Sequence, residues 1–137
     1  DELLGTGIGK HATIFYAVLD TQNNRLTYSV AGALPVPILI ANGEARYLEG
    51  QGAPVGLFEE TNYQEIVVDL PDKFRIMMFS DGILEVLEQE SLAKKEAFLL
   101  SEAPKMKADI ESVFNGFNVD ENKQYPDDIA LLIVDKI

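Results

Sequence analysis

The stretch Ile76-Met77-Met78-Phe79-Ser80-Asp81-Gly82 joins an apolar strand to an acidic corner. A second acidic corner, Pro126-Asp127-Asp128, stands immediately before the apolar run 129–134. Carboxylates held at the ends of apolar strands are the oxygen ligands that a divalent metal ion requires. Whether these two corners meet in the fold therefore decides whether they form a metal site.

Composition limits the kind of site that the chain can build. Its 137 residues are enough for one domain with one hydrophobic core. The chain has no cysteine and one histidine, which excludes thiolate zinc sites and sites with several histidines. Any metal must therefore be held by carboxylates, carbonyls and water, a ligand set that favours Mg²⁺, Mn²⁺ or Ca²⁺.

Charge and hydropathy limit the partners. The net charge of −12 opposes binding to a nucleic-acid backbone or to an anionic membrane. No apolar stretch reaches the roughly 20 residues of a membrane span, and the N-terminus has no signal-peptide pattern. We therefore expect a cytoplasmic protein with no nucleic-acid and no membrane partner.

Hydrophobic periodicity predicts strands over most of the N-terminal half. Residues 12–19 are apolar on both faces, which is typical of a central, buried strand. The turn residues 20–24 and the pair Asn42-Gly43 predict two β-hairpins. Further strands are predicted at 25–30, 38–40, 45–48, 63–70 and 74–80, and residues 50–57 are predicted to form an irregular loop.

The pattern becomes helical after Gly82. Residues 82–100 predict one short helix and a second one, with a break near Gln89–Ser91. Pro104 suits the first turn of a further helix, and the apolar positions from Met106 to Phe117 share one helical face. A last strand is predicted at 129–135. Strands, then helices, then one strand indicate an α+β fold with antiparallel sheets covered by helices.

Each acidic corner also has a simpler explanation. A Ser-Asp-Gly sequence after a strand commonly caps the following helix, and an acidic pair such as Asp127-Asp128 commonly forms a solvated turn. Adjacent carboxylates repel each other, and a divalent cation beside them relieves that repulsion. The glycines of Gly5–His11 have the wrong spacing for a phosphate-binding loop, so we expect a simple connector there.

Taken together, the motifs resemble the SpoIIE-type branch of the protein phosphatase 2C family. The resemblance implies an antiparallel β-sandwich flanked by helices, in a family that hydrolyses phosphoserine or phosphothreonine with two Mn²⁺ or Mg²⁺ ions. It also implies Asp81 and Asp127 as metal ligands, with Asp128 and Gly82 as weaker candidates. The matching segments are Ala12–Asp20, Arg25–Pro37, Tyr47–Phe58, Phe74–Glu85 and Pro126–Val134.

Finer details resemble the C-terminal domain of RssB-type response regulators, which are adaptors for the stationary-phase sigma factor. This resemblance implies a phosphatase-like scaffold that binds a protein and that follows a receiver domain in the full protein. The segments that carry it are Gly9–Ala12, Tyr47–Gly50, Pro54–Phe58 and Met78–Leu84.

Two departures from the family pattern bear on activity. The first metal motif of the family, an Asp followed by Gly near the domain start, is not in this chain. We expect it upstream of Asp1, so residues 1–137 are expected to be the C-terminal part of a single phosphatase-like domain. In addition, Ala31-Gly32-Ala33 has an alanine where the family often has a histidine. Both departures favour protein binding over catalysis.

Two functions remain open at this point, beside a structural sandwich that has no site at all. The first is the output domain of a two-component response regulator that binds a sigma factor or a phosphoprotein and needs no metal. The second is a Mn²⁺- or Mg²⁺-dependent protein serine/threonine phosphatase that is inactive without its upstream motif. Without the strands expected upstream, sheet edges would be left unpaired, and folded proteins avoid exposing such edges. We therefore expect another chain to cover them, and a second copy of this chain, as in a homodimer, is one such partner.

Overall fold

A computed structural model describes residues 14–32, 35–49, 65–120 and 122–136. The chain forms two compact units, one made of residues 1–34 and 49–71 and the other of residues 35–48 and 72–137. The described strands are β1 (Ile14–Asp20), β2 (Arg25–Ala31), β3 (Ile38–Ala41), β4 (Glu44–Tyr47), β5 (Ile66–Asp69), β6 (Phe74–Phe79) and β7 (Leu131–Lys136).

The first unit contains a three-stranded antiparallel sheet in the order β1-β2-β5. The turn between β1 and β2 is closed by Asp20, whose Oδ1 accepts hydrogen bonds from the backbone N–H groups of Gln22 and Asn23, both at 3.1 Å. The predicted first hairpin is therefore confirmed.

The expectation that residues 12–19 form a central, buried strand is wrong for the residues that are described. β1 pairs with β2 along one edge, and it stands at the end of the described strand order. Tyr16 and Val18 on one face are 65% and 52% exposed. β-branched and aromatic residues suit a half-exposed pleated surface as well as a buried one, so apolar residues on both faces did not distinguish the two cases.

The second unit contains a four-stranded antiparallel sheet in the order β4-β3-β6-β7. The β3–β4 turn at Asn42-Gly43 has φ values of 54° and 78°, the left-handed conformation that a tight hairpin turn requires. β6 lies between β3 and β7, and its Met77 is 1% exposed. The predicted second hairpin is thus confirmed, and the two-sided apolar strand lies at an interior position.

The helices follow β6 with the predicted break. Ser91 starts the second helix by accepting a hydrogen bond from the backbone N–H of Lys94. The helix predicted from Met106 instead begins at Ile110, because the Asp109 carboxylate accepts the N–H of Ser112 at 2.7 Å and caps it there. The elements are α1 (Gly82–Val86), α2 (Leu92–Glu102), a 3₁₀ turn (Ala103–Lys105) that contains Pro104, and α3 (Ile110–Gly116).

The helices cover the face of this sheet that carries Met77 and Phe79. Phe117 packs against Phe79 and Phe98, with ring centroids 5.8 and 6.2 Å apart. The α+β class with antiparallel sheets is confirmed. The same buried cluster includes Ile38, Ile83, Leu84, Leu87, Leu99, Ala103 and Val113.

Several expectations fall on residues outside the described ranges. These are the connector Gly5–His11, the loop at 50–57 and the alanine at position 33. The last strand, predicted at 129–135, is observed at Leu131–Lys136. Among the described helices, none is long and apolar enough to cross a membrane.

Candidate metal centre

The pairing of β6 with β7 brings the two acidic corners together. The antiparallel ladder ends with Phe79 opposite Leu131. One further hydrogen bond continues it, because the backbone N–H of Ser80 donates to the carbonyl of Ala130 at 3.0 Å. The end of β6 and the segment before β7 are therefore held side by side.

The Ser80 side chain fastens the same two segments. Its Oγ donates to the carbonyl of Asp128 at 3.0 Å and accepts from the N–H of Ala130 at 2.8 Å. One hydroxyl thus uses both its donor and an acceptor site across the junction. The sequence alone does not indicate Ser80 as part of the site, since its only signal is a polar residue where an apolar strand ends.

Gly82 is needed where the corners touch. It is buried, and a Cβ at this position would overlap the carbonyl oxygen of Asp128 and lie 3.1 Å from Cγ1 of Ile129. Any larger residue would push α1 away from the segment before β7. Gly82 therefore allows the start of α1 to lie close to the segment before β7. Its role as a metal ligand stays a prediction.

The Asp81 and Asp127 carboxyl groups lie close enough to interact. The pKa of Asp81 is raised, first because its carboxyl loses hydration, then because Asp127 accepts its proton in a hydrogen bond and repels its charge. Nearby N–H groups of Asp81 and Gly82 act in the opposite direction. Asp81 makes no side-chain capping hydrogen bond to α1, so the simple helix-cap explanation does not describe it.

The two aspartates of the second corner, Asp127 and Asp128, make different contacts. Oδ1 of Asp127 accepts the backbone N–H of Asp128 at 2.8 Å, which orients the carboxylate at the turn. Asp128 contributes its carbonyl, which accepts from Ser80, while its exposed carboxylate makes no hydrogen bond or ion pair with the residues that the structure describes. The geometry therefore distinguishes Asp127, which contacts Asp81, from Asp128.

The pair has the chemistry of part of a divalent-cation site. Two carboxylates in contact repel each other at neutral pH, and a hard cation between them relieves that repulsion with the oxygen ligands it prefers. Within the described ranges, no third His, Asp or Glu joins them in a cluster. The donor set fits Mn²⁺ or Mg²⁺ in kind, with its remaining ligands to come from water or from residues outside those ranges.

A cavity of about 500 Å³ adjoins the second corner. Asp127 and Asp128 line it on one side. The loop on the other side is held by the Asp120 N–H, which donates to the Tyr125 hydroxyl at 2.8 Å. The cavity gives a substrate group space beside the carboxylates, and Lys123 in its lining offers a positive charge.

Replacement of Gly82 by alanine tests the close approach between Gly82 and the backbone of Asp128. An alanine favours a helix by roughly 0.5–1 kcal/mol over glycine, yet we expect Gly82→Ala to lower the free energy of unfolding by about 1–3 kcal/mol because its Cβ overlaps Asp128. Urea denaturation measures the difference. The exposed Glu85→Ala change in the same helix is the control and should stay within about 0.5 kcal/mol; a stabilising Gly82→Ala would contradict the geometry.

The raised pKa of Asp81 predicts a pH-dependent effect of Asp81→Asn in the presence of a metal chelator. Protonation of Asp81 favours the folded state, so its stabilising contribution is present below about pH 3.8 and is lost as pH rises through the folded-state pKa. Asp81→Asn should therefore gain stability relative to the unchanged chain as pH rises from 3.8 to neutrality.

Chemical denaturation across that pH range measures this difference, with Asp128→Asn as a control that makes the same charge change at the neighbouring corner. A loss of stability in Asp81→Asn at neutral pH would show that the two carboxyl groups do not oppose each other.

Comparison with known proteins shows what this chain is similar to. The family model described as Stage II sporulation protein E (SpoIIE) matches residues 1–136. The chain is 26% identical over 130 residues to the phosphoserine phosphatase RsbU of Bacillus subtilis, covering 89% of this chain and 38% of RsbU. It is 24% identical over 75 residues to the phosphoserine phosphatase RsbP of the same organism, covering 55% of this chain and 19% of RsbP. The chain thus spans well under half of each relative.

Solved structures share the fold. The RsbU and RsbW domains of a Mycobacterium tuberculosis protein match with a TM-score of 0.70 and 24% identity, covering 88% of this chain and 36% of that one. The phosphatase domain of SpoIIE from Bacillus subtilis, presoaked with Mn, matches with a TM-score of 0.65 and 15% identity, covering 90% of this chain and 56% of that one. With the family match over nearly its whole length, this chain belongs to the SpoIIE family of phosphatase domains.

Proposed function

We propose that the chain is the C-terminal part of a Mn²⁺- or Mg²⁺-dependent phosphatase domain that acts on phosphoserine or phosphothreonine in proteins. The observation that carries this proposal is the contact between the Asp81 and Asp127 carboxyl groups. These residues come from segments far apart in the sequence. A chain that only needed solvated turns would gain nothing by placing two like charges together.

The roles follow from the positions of the side chains. Asp81 and Asp127 would hold metal, which when bound supplies positive charge for a phosphoryl group and lowers the pKa of water. Ser80 holds the segment around Asp128 in place by a hydrogen bond to the Asp128 carbonyl. Gly82 has no side chain and so lets that segment lie close to the start of α1. Lys123, in the lining of the adjoining cavity, would attract the substrate phosphate and orient it.

The relatives support this assignment by their activity. RsbU and RsbP are phosphoserine phosphatases, and one matching SpoIIE structure was presoaked with Mn. The family's first metal motif is absent from residues 1–137, and we place it upstream of Asp1. Its aspartate would complete the metal site, so this chain alone is expected to be inactive. A cytoplasmic location is part of the same proposal.

A second candidate is a protein-binding output domain of a response regulator. The observation that favours it is the alanine in Ala31-Gly32-Ala33, where the family often has a histidine. The segments that resemble RssB-type regulators support the same candidate, with a receiver domain upstream and a sigma factor as partner. Exposed apolar side chains on one face of β1, including Tyr16, are consistent with a homodimer.

Phosphate release decides between the two candidates. The natural protein that contains this chain, supplied with Mn²⁺ and a serine-phosphorylated protein, should release phosphate, and a chelator should abolish the release. Asp127→Asn should lower the rate about 100-fold or more, because a metal ion contributes several kcal/mol of charge stabilisation. Asp128→Asn is the matched control and should retain most of the activity.

Two outcomes would count against the phosphatase. Absence of Mn²⁺-dependent release from serine- and threonine-phosphorylated substrates would favour the protein-binding domain. An equal loss in Asp127→Asn and Asp128→Asn would contradict the distinction that the structure makes between these residues.

A further inference from the structure

A second cavity, of about 260 Å³, lies within the helical part of the second unit, and the paired aspartates are not part of its described lining. Three aromatic rings line it: Phe98 of α2, Phe117 after α3, and Tyr125 of the loop that follows. Phe117 is buried, and the other two rings are half-buried. The cavity thus combines an aromatic wall with an opening to solvent.

Gln89 lines this cavity and carries a polar atom with no partner. Its Oε1 is buried and accepts no hydrogen bond from the part of the chain that the structure describes. A buried acceptor without a donor loses its hydration without compensation, which is uncommon in folded proteins. A ligand that donates a hydrogen bond would therefore gain more here than at a solvated amide.

The charges of the lining favour a cationic ligand. Glu85 and Glu88 are both exposed, and neither has a cation within ion-pair distance among the described residues. Lys123 is the only cation in the described lining, so the two carboxylates outnumber it. The net charge of −12 for the whole chain acts in the same direction at longer range.

The shape and chemistry favour arginine over other cations. A planar guanidinium stacks on aromatic rings and presents five N–H donors, whereas an ammonium ion is compact and strongly hydrated. The volume of about 260 Å³ falls below the range of roughly 300–1,000 Å³ for pockets that hold drug-sized molecules, so one side chain is the appropriate occupant.

We propose that this cavity is a docking site for an arginine side chain presented by an extended segment of a protein partner. The aromatic rings stack against the guanidinium, the Gln89 amide oxygen accepts one of its N–H groups, and Glu85 with Glu88 attracts its charge. This site goes beyond the proposed phosphatase function, and it operates whether or not the paired aspartates hold metal.

Titration with a short peptide tests the site directly. The probe is an acetylated and amidated seven-residue peptide of glycine and alanine with one central arginine. Added to the ¹⁵N-labelled full chain, it should shift amide signals of residues 85–89 and 116–125. Peptides with citrulline or norleucine at the central position should bind at least fivefold more weakly, because citrulline removes the charge and norleucine removes charge and donors.

Variants separate binding from structure. Gln89→Leu removes the unpartnered acceptor, so it should weaken binding of the arginine peptide at least fivefold while leaving the thermal midpoint unchanged or higher. The double variant Glu85→Gln/Glu88→Gln should weaken binding and reduce its dependence on salt. Glu111→Gln, an exposed charge change on α3 outside the lining, should bind as the unchanged chain does.

Three results would overturn the proposal. One is equal binding of the norleucine and arginine peptides, which would show that the cavity takes any apolar chain. Another is undiminished binding by the stably folded Gln89→Leu variant. The third is a set of shifts confined to residues around Asp81 and Asp127, which would place the peptide at the acidic centre and would leave the phosphatase proposal untouched.

Discussion

The antiparallel register of β6 and β7 is the constraint on which the candidate site depends. At one end of this pair, Arg75 lies opposite Asp135, and their side chains form a half-buried ion pair at 3.2 Å. Arg75 also donates to the carbonyl of Met106 at 3.0 Å, which ties the register to the helical segment. At the other end, Ser80 continues the ladder to Ala130. A slip of one residue would turn every side chain of β7 to the opposite face and separate the corners.

Placing two carboxyl groups side by side costs free energy of folding, and the surrounding structure offsets this cost. Two carboxyl groups in contact raise the pKa of Asp81 and disfavour the fully charged pair. Buried packing of Met77 and Phe79 in β6, together with the two hydrogen bonds of the Ser80 hydroxyl, holds the corners in place against that repulsion. Like charges held close together are common at functional sites, because a bound cation is attracted to both of them.

The two cavities share one loop. Lys123 and Tyr125 contribute to the lining of both the cavity beside Asp127 and the aromatic cavity around Gln89. The Asp120 carbonyl accepts from the backbone N–H of Lys123, and the Asp120 N–H donates to the Tyr125 hydroxyl, so these two bonds hold the loop in shape. A partner segment docked by an arginine would therefore sit next to the space where a phosphorylated side chain approaches the aspartates. Recognition and chemistry would then both involve this loop.

Much of the fold could be predicted from the sequence, because its signals are local. Asn42-Gly43 specifies its own hairpin turn, and the break between α1 and α2 follows from polar residues ending at the capping Ser91. The exposure of β1 could not be predicted, because a strand with apolar residues on both faces gives no indication of which face is covered by other elements. The pairing of Asp81 with Asp127 needed the family resemblance, and the roles of Ser80 and the Asp128 carbonyl needed three-dimensional contacts between distant segments.

Paramagnetic broadening by Mn²⁺ tests whether the two corners form one cation site. A small amount of Mn²⁺ added to the ¹⁵N-labelled chain should broaden the amide signals of residues 80–82 and 127–129 together, and Asp81→Asn should weaken the broadening at both corners. Broadening at only one corner, or spread over separate exposed carboxylates such as Glu90 and Glu111, would show that the two corners do not share a cation.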